Sequence, residues 1–199
     1  MLNIEKFSFR EFSSKEEAII WGNSFYPSDV CKSTSDALKM YCGYLHAPIN
    51  QDFRSRPNLA PHRAKISARI FEYACSHPVP ENVVAFRLIT EDAFLKMQAG
   101  RKRFFPFASP CLFDPGFMST SLCLSELRKS NYILEHKELS FLLKIYVPKG
   151  FLGIYVAEIV SRGQEQELLL MPGCKLRILK QDSLYCECLL ERQDRVLRI

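Results

Sequence analysis

The chain has 199 residues, of which 47% are hydrophobic and 25% charged, and a formal net charge of +5. These values are ordinary for a globular protein with its own core, and no apolar run approaches the length that spans a bilayer. The modest charge and the short basic cluster Arg101-Lys102-Arg103 argue against nucleic-acid binding, and the N-terminus lacks the layout of a signal peptide, so we expect a soluble chain without membrane contact.

Helical patterns fill the N-terminal part of the chain. The capping box Ser14-x-x-Glu17 precedes an apolar run and predicts a helix from about Ser14 to Phe25. A second helix is predicted from Thr34 and is expected to end between residues 43 and 48, where Gly and Pro interrupt the pattern. A third helix carries apolar residues at helical spacing around Ile70.

From residue 82 the pattern changes to strands. Residues 82–89 are β-branched and apolar and predict a strand, Thr90 can cap a short helix through about Gln98, and residues 100–114 are expected to form a loop. A short segment at 117–122 follows, then a polar stretch at 125–138. Five further strands are predicted at 139–147, 153–159, 167–171, 175–180 and 184–192. Helices followed by strands predict an α+β domain with a mainly antiparallel sheet. We expect one domain over residues 1–199, with residues 1–33 as a helical extension.

Eight cysteines and four histidines are scattered along the chain. The only close pair is Cys186-x-Cys188, and no Cys-x-x-Cys with matching histidines supports a zinc site. A chain of this size does not depend on disulfides. We therefore expect reduced, mostly buried thiols and no metal.

Arg87 lies inside the first predicted strand, where an unpaired charge is costly. A buried ion pair would explain it, and so would capture of a phosphate by the planar guanidinium. Further along, Ser119-Thr120-Ser121 places Ser119 and Ser121 on one face of a strand and Thr120 on the other. Such hydroxyl runs are also common in edge strands.

Glu165 and Glu167 are separated by one residue, so in a strand both side chains would point to one face. Like charges repel there. A solvated strand edge would explain the pair, and so would a cationic substrate or transition state between the two carboxylates. An arginine, a hydroxyl triplet and Glu-x-Glu on successive strands are together hard to attribute to coincidence.

This order of motifs resembles the mono-ADP-ribosyltransferases of the Arg, Ser-Thr-Ser, Glu-x-Glu class, which includes iota-like toxins and bacterial effectors. The resemblance covers about residues 34–178 and is carried by the segments 80–87, 114–121 and 143–178. It implies an α+β ADP-ribosyltransferase-like fold, in which N-terminal helices precede a mainly antiparallel two-sheet β core with an NAD cleft.

The resemblance also implies how NAD would be bound. Arg87 would hold the NAD diphosphate. Ser119 would form a hydrogen bond in the nicotinamide-ribose pocket and orient Glu167, with Thr120 and Ser121 supporting the strand. One feature differs from the family pattern, and a second matches it only in part. Arg87 is followed by leucine, where the family commonly has glycine or arginine, and the helical segment 41–50 holds a tyrosine and an asparagine whose register is unsettled.

By the same resemblance, Glu167 would be the catalytic glutamate and Glu165 would face the acceptor. A glutamate at the position of Glu165 goes, in this family, with arginine as the modified side chain. Residues 125–137 would match a loop that folds over the nicotinamide, and Tyr132 would be its aromatic contact. The segment 161–166 would be the turn that reads the acceptor.

The function implied is that of an NAD-dependent mono-ADP-ribosyltransferase, a glycosyltransferase that uses NAD as co-substrate and requires no metal. It would cleave the nicotinamide glycosidic bond and transfer ADP-ribose to a protein side chain, with arginine expected as the acceptor. The resemblance further implies a secreted virulence toxin or effector that is translocated into the host cytoplasm and modifies a host protein. Two alternatives are an NAD glycohydrolase on the same fold and a catalytically silent module that binds a nucleotide or a protein.

Overall fold

The computed structural model describes residues 7–26, 30–55, 59–104, 110–129, 141–157, 159–160 and 166–193. In these ranges the chain forms six α-helices, one π-helical turn and eight strands. They are α1 (Lys15–Phe25), α2 (Lys32–Met40), the π-helical turn (Tyr41–Leu45), α3 (His46–Ser55), α4 (Pro61–Ser76), β1 (Val83–Ile89), α5 (Glu91–Phe104), β2 (Cys111–Asp114), β3 (Met118–Ser121), α6 (Leu124–Lys129), β4 (Phe141–Val147), β5 (Gly153–Tyr155), β6 (Glu167–Leu170), β7 (Cys174–Gln181) and β8 (Tyr185–Gln193). This is the predicted α+β order.

The described strands form one hydrogen-bonded sheet in the order β2-β7-β8-β4-β1-β3-β6-β5. Only the β4–β8 pair is parallel, so the prediction of a mainly antiparallel core is confirmed. A single residue pair, Phe86 with Ser121, joins β1 to β3. The sheet therefore consists of two parts that meet at this pair. Arg87 lies on β1, the Ser-Thr-Ser segment on β3, and Glu167 at the start of β6, which pairs with β3.

The first helix begins as its capping box predicts. The Ser14 hydroxyl accepts a hydrogen bond of 3.2 Å from the backbone N–H of Glu17, which satisfies one of the free donors at the helix start. The helix buries Trp21 and Gly22 against the sheet. A Cβ at Gly22 would overlap the ring of Tyr155 on β5, so the glycine permits close contact between α1 and that strand.

The second helix does not end between residues 43 and 48 as expected. The π-helical turn carries the chain directly into α3, and Pro48 lies in the first turn of α3, where a missing N–H is tolerated. Within this segment Asn50 Nδ2 donates to Tyr41 Oη at 3.1 Å. Nine residues of a straight α-helix would separate the two by about 13.5 Å on opposite faces. Their contact therefore requires a bend, for which the proline and the π-helical turn are known causes.

The loop predicted at residues 100–114 was wrong at both ends. Helix α5 continues through Gly100 to Phe104, and β2 already begins at Cys111. A Cβ at Gly100 would lie 3.3 Å from the carbonyl oxygen of Phe113, so this glycine allows α5 to pack closely on β2 and does not end the helix. In the polar stretch after residue 125, the described part contains the short helix α6.

The core lies between the sheet and the helices. Every residue of β6 is buried, and β4 alternates between buried and partly exposed positions. The largest fully buried side chains include Trp21 on α1, Leu38 on α2 and Ile70 on α4. Among the described residues, no helix is both long and apolar enough to cross a membrane.

Candidate functional site

The Ser-Thr-Ser triplet and Glu167 lie side by side on β3 and β6. In the antiparallel register Ser121 faces Glu167 and Thr120 faces Leu168, whose carbonyl accepts a 2.6 Å hydrogen bond from Thr120 Oγ1. Ser119 lies two positions along β3 from Ser121, on the same strand face by alternation. Its side chain is exposed, whereas Thr120, Ser121 and Glu167 are buried. The fold thus places the Ser-Thr-Ser segment and Glu167 on adjacent strands.

The end of β3 is closed by Ser121 itself. Its Oγ donates to the carbonyl of Cys123 at 3.0 Å and accepts from the Cys123 N–H at 3.2 Å. These two bonds fix the chain where β3 passes into α6. Ser121 thus holds the end of its own strand through its side chain.

Glu167 is the first residue of β6 and is 5% exposed. Its carbonyl accepts a 3.1 Å hydrogen bond from the N–H of Val156, which ties the strand start to the neighbouring β5 end. The preceding residue, Gln166, has a φ of +47° and is fully buried. Glu165 lies in the segment 161–165, which is outside the described residues. Tyr132 is also outside them, in the segment 130–140.

Arg87 lies on the strand that pairs with β3. Its neighbour Phe86 forms the single pair with Ser121, and Arg87 itself pairs with Leu143 of β4. The guanidinium Nη1 is 3.7 Å from Oδ2 of Asp114 and has no hydrogen-bond partner in the described part of the chain. Burial lowers the pKa of Arg87, and the Asp114 carboxylate opposes this effect. An ion pair exists, as one interpretation of the sequence predicted, although it lacks a hydrogen bond from Nη1.

Asp114 has a closer cationic partner in Arg54, at the C-terminal end of α3. Arg54 donates two hydrogen bonds to the carboxylate, from Nε at 3.0 Å and from Nη2 at 2.8 Å. The same carboxylate accepts from the N–H of Gly116 at 3.0 Å. Two guanidinium groups thus converge on one buried carboxylate. Together these three groups carry a net positive charge, which suits binding of an anion such as a diphosphate.

The π-helical turn supplies Tyr41, which is 2% exposed and packs on Phe117 with ring centroids 4.9 Å apart. Burial and the Glu167 carboxylate raise the pKa of Tyr41, whereas the hydrogen bond from Asn50 and the Arg87 guanidinium lower it. Tyr41 is therefore within electrostatic reach of both Glu167 and Arg87. It is the buried tyrosine of the segment 41–50.

Asn50 holds this tyrosine in place. Besides its bond to Tyr41, Asn50 accepts a 2.8 Å hydrogen bond from the N–H of Phe117 at Oδ1. A Cβ at Gly116 would lie 2.7 Å from the same Oδ1, so only glycine fits there without displacing the amide. The other tyrosine of the segment, Tyr44, is 67% exposed.

Arg54 and Asp114 were not predicted from the sequence. They are separated by 60 positions, and an ion pair at that separation leaves no local pattern. Asp114 was predicted as the end of the loop 100–114 and the start of the family-like segment 114–121, with no role of its own. The sole signal for Asn50 was its place in the family-like segment 41–50.

Among the described residues, no three His, Cys, Asp or Glu side chains are grouped so that they could hold a metal ion. A shallow cavity of about 370 Å³ lies elsewhere, beside Arg10 and Lys149, and includes none of the predicted site residues.

Comparison with known proteins identifies the family to which the chain belongs. The sequence model of the ADP-ribosyltransferase exoenzyme family matches residues 15–194. No curated protein sequence matches the chain. Among solved structures, the C3 exoenzyme of Clostridium limosum is 21% identical, with a TM-score of 0.72 over 93% of this chain and 98% of that one. Plx2a, an ADP-ribosyltransferase toxin from Paenibacillus larvae, is 19% identical, with a TM-score of 0.70 over 93% and 100%. C3stau2 from S. aureus, solved with NAD, is 18% identical, with a TM-score of 0.70 over 93% and 99%.

Proposed function

Since the chain belongs to the ADP-ribosyltransferase exoenzyme family, we propose that it cleaves the nicotinamide glycosidic bond of NAD and transfers ADP-ribose to an arginine side chain of a protein. The observation that carries this proposal is the placement of Glu167 opposite the Ser-Thr-Ser strand, with Arg87 on the next strand and Tyr41 within electrostatic reach of both. The C3-like proteins share the fold, and one of them, C3stau2, was solved with NAD.

Glu167 is proposed to stabilise the transition state. Loss of nicotinamide moves positive charge from the pyridinium to the ribose, as in glycoside hydrolysis. A fixed carboxylate beside that ribose interacts more strongly with the cation than with the ground state, so it lowers the barrier. Glu167 is buried at the start of a strand held by main-chain hydrogen bonds, which supports this role. Ser119, exposed on the same face of β3, is proposed to orient it and to contact the nicotinamide ribose.

Arg87 is proposed to bind the diphosphate of NAD. Asp114 keeps the guanidinium in position at 3.7 Å, yet the stronger bidentate bond of that carboxylate goes to Arg54. Arg87 therefore keeps donors for phosphate oxygens. Tyr132 is proposed, on the family resemblance alone, as the aromatic contact of the nicotinamide.

Glu165 is proposed to act on the acceptor. A guanidinium is protonated at neutral pH and is then a poor nucleophile. A carboxylate can pair with it, position it and accept a proton as the nitrogen attacks the ribose carbon. The support for arginine as acceptor is the glutamate at this position, two residues before Glu167. The scheme uses carboxylates and guanidinium groups and requires no metal ion.

The acceptor is proposed to be a host protein, reached by a secreted bacterial toxin or effector that enters the host cytoplasm. The support is the family itself, together with the similarity of the fold to a bacterial exoenzyme and a bacterial toxin. Localisation and host identity rest on that likeness.

One experiment separates the candidates. The purified protein and its Glu167→Ala variant are incubated with a labelled NAD analogue and cell lysate, and labelled proteins are analysed by mass spectrometry. Label on arginine with the native chain, and none with the variant, supports the proposal. Nicotinamide release without labelled protein indicates the glycohydrolase, and neither activity indicates the silent binding module. Label on another side chain contradicts the arginine assignment.

A further inference from the structure

We infer that Tyr155 and Gln166 are positioning residues that fix the direction in which the chain enters β6, and thereby the place of Glu167. This inference rests on the proposed function of Glu167. It concerns the middle residue of the Glu-x-Glu motif, which the family resemblance placed only at the end of the acceptor-reading turn 161–166.

The backbone of Gln166 is unusual. Its φ of +47° lies in the left-handed region, and it is the only described residue other than glycine with a positive φ. Side chains with a Cβ are disfavoured there, and such conformations persist where the surroundings over-determine them. Gln166 stands immediately before Glu167, so its φ decides how β6 begins.

The side chain of Gln166 is held by a tyrosine. Tyr155 Oη donates a 2.5 Å hydrogen bond to Gln166 Oε1, and both residues are at most 1% exposed. A buried amide oxygen without a donor is costly, so this bond favours the observed turn over alternatives in which the amide points elsewhere. The main-chain carbonyl of Gln166 accepts a further 3.0 Å bond from the N–H of Leu122.

The ring of Tyr155 is itself confined. It lies against Gly22 of α1, where a Cβ would overlap it, and it meets Trp21 edge to face with centroids 6.3 Å apart. The contacts form a connected path from the N-terminal helix through Tyr155 and Gln166 to Glu167. Helix α1 is thus proposed to help position Glu167 indirectly, through Tyr155 and Gln166.

Loosening this path is expected to affect the chemical step more than NAD binding. The anchor acts on Glu167, whereas the proposed diphosphate site of Arg87 lies on β1. Reacting groups displaced by about 1 Å lose on the order of a hundredfold in rate. A positioning role therefore predicts a lower kcat with a nearly unchanged KM for NAD.

The chain offers a matched control in Tyr26. This tyrosine is also buried and also packs on Trp21, and its hydroxyl donates to the carbonyl of Gly153 at 3.2 Å. Tyr155→Phe and Tyr26→Phe each remove one buried phenol hydrogen bond. We expect Tyr155→Phe to lower kcat for NAD cleavage about tenfold or more with KM within about threefold, and Tyr26→Phe to leave both nearly unchanged.

A double-mutant cycle tests whether the one hydrogen bond is responsible. Gln166→Met keeps the length of the side chain and removes its acceptor. If the pair acts as a unit, the double variant loses about as much kcat as either single variant. Thermal unfolding of each variant identifies a temperature at which all of them are folded, and kcat is measured there. If Tyr155→Phe does not fold, the kcat and KM of Gln166→Met are compared with those of the native protein instead.

The outcomes separate the two claims. The positioning role is overturned if the kcat losses of the two single variants multiply in the double variant, or if Tyr155→Phe and Tyr26→Phe have equal kcat. In either case, activity of the native protein still supports the proposed function. A native protein that neither cleaves NAD nor transfers ADP-ribose overturns the proposed function and this inference with it.

Discussion

Arg87 approaches Asp114 to 3.7 Å without forming a hydrogen bond to it. The carboxylate is already engaged by Arg54 at 3.0 and 2.8 Å, so Asp114 compensates the charge of Arg87 without accepting a hydrogen bond from its Nη1. The charge of this guanidinium is compensated, and on the proposed function the group would bind a phosphate. The buried ion pair and the phosphate site, which the sequence offered as alternatives for Arg87, are therefore compatible.

Replacing Arg87 by alanine is expected to weaken NAD binding chiefly. Loss of charge-assisted hydrogen bonds costs about 1.5–3 kcal/mol, or roughly 10- to 150-fold in Kd, as measured by calorimetry. Arg69→Ala is the control, because Arg69 is exposed and pairs only with Glu72 among the contacts described for its side chain. Unchanged affinity in Arg87→Ala with a loss of stability would assign Arg87 a purely structural role.

The two glutamates are expected to differ in what their removal abolishes. Glu167→Ala should lose both NAD cleavage and transfer, since one preorganised electrostatic contact is worth about 3 kcal/mol or more in the transition state. Glu165→Ala should lose transfer and keep some NAD hydrolysis, because water can replace the guanidinium acceptor. Nicotinamide release and protein labelling are measured in parallel. Complete loss of both activities in Glu165→Ala contradicts this division of roles.

Asp114→Asn is expected to destabilise the fold. The variant leaves the guanidinium groups of Arg54 and Arg87 without the buried carboxylate between them. Breaking a buried ion pair lowers the free energy of unfolding by about 3 kcal/mol, and we expect a smaller loss here because Arg54 is partly in water. Urea unfolding gives the difference. The comparison is Glu72→Gln, which breaks the exposed Arg69 pair and should cost about 0–1 kcal/mol. Equal effects of the two substitutions refute a structural role for Asp114.

Cys31 is expected to react at neutral pH. Hydrogen bonds with Ser33 and Thr34 lower the pKa of this exposed thiol to about 7. The thiolate is the reactive form, so alkylation by iodoacetamide should rise with pH through a midpoint near about 7. Ser33→Ala removes the first of these partners and should move the midpoint upward. A midpoint near the ordinary thiol value of about 8.5, unchanged in Ser33→Ala, rules out the shift.

Local patterns predicted much of the fold. The capping box at Ser14 and the hydroxyl of Thr90, which accepts from the Ala93 N–H at 3.0 Å, both begin helices as expected. Alternation and β-branched runs located β1 and most later strands. The π-helical turn and the passage of α5 through Gly100 were missed, because there glycine and proline serve bending and packing, which depend on neighbours distant in sequence.

The site was predictable to the extent that its residues form short motifs. Ser121 and Glu167 lie on paired strands, as the Ser-Thr-Ser and Glu-x-Glu motifs suggested. The bond between Arg54 and Asp114 and the anchoring of Gln166 by Tyr155 join distant segments, so they required the structure. The roles assigned to Arg87, to Ser119, Thr120 and Ser121, to Glu165 and Glu167 and to Tyr132 all stay predictions.

The contact between Tyr41 and Asn50 depends on how many residues lie between them more than on which residues these are. A Cβ at Gly43 would meet no atom within 4 Å outside its own helix, so side chains of many kinds fit there. Deleting that one residue would instead turn the following helix by about 100° and carry Asn50 away from Tyr41. We therefore expect the segment to tolerate substitution at Gly43 and to reject a one-residue deletion.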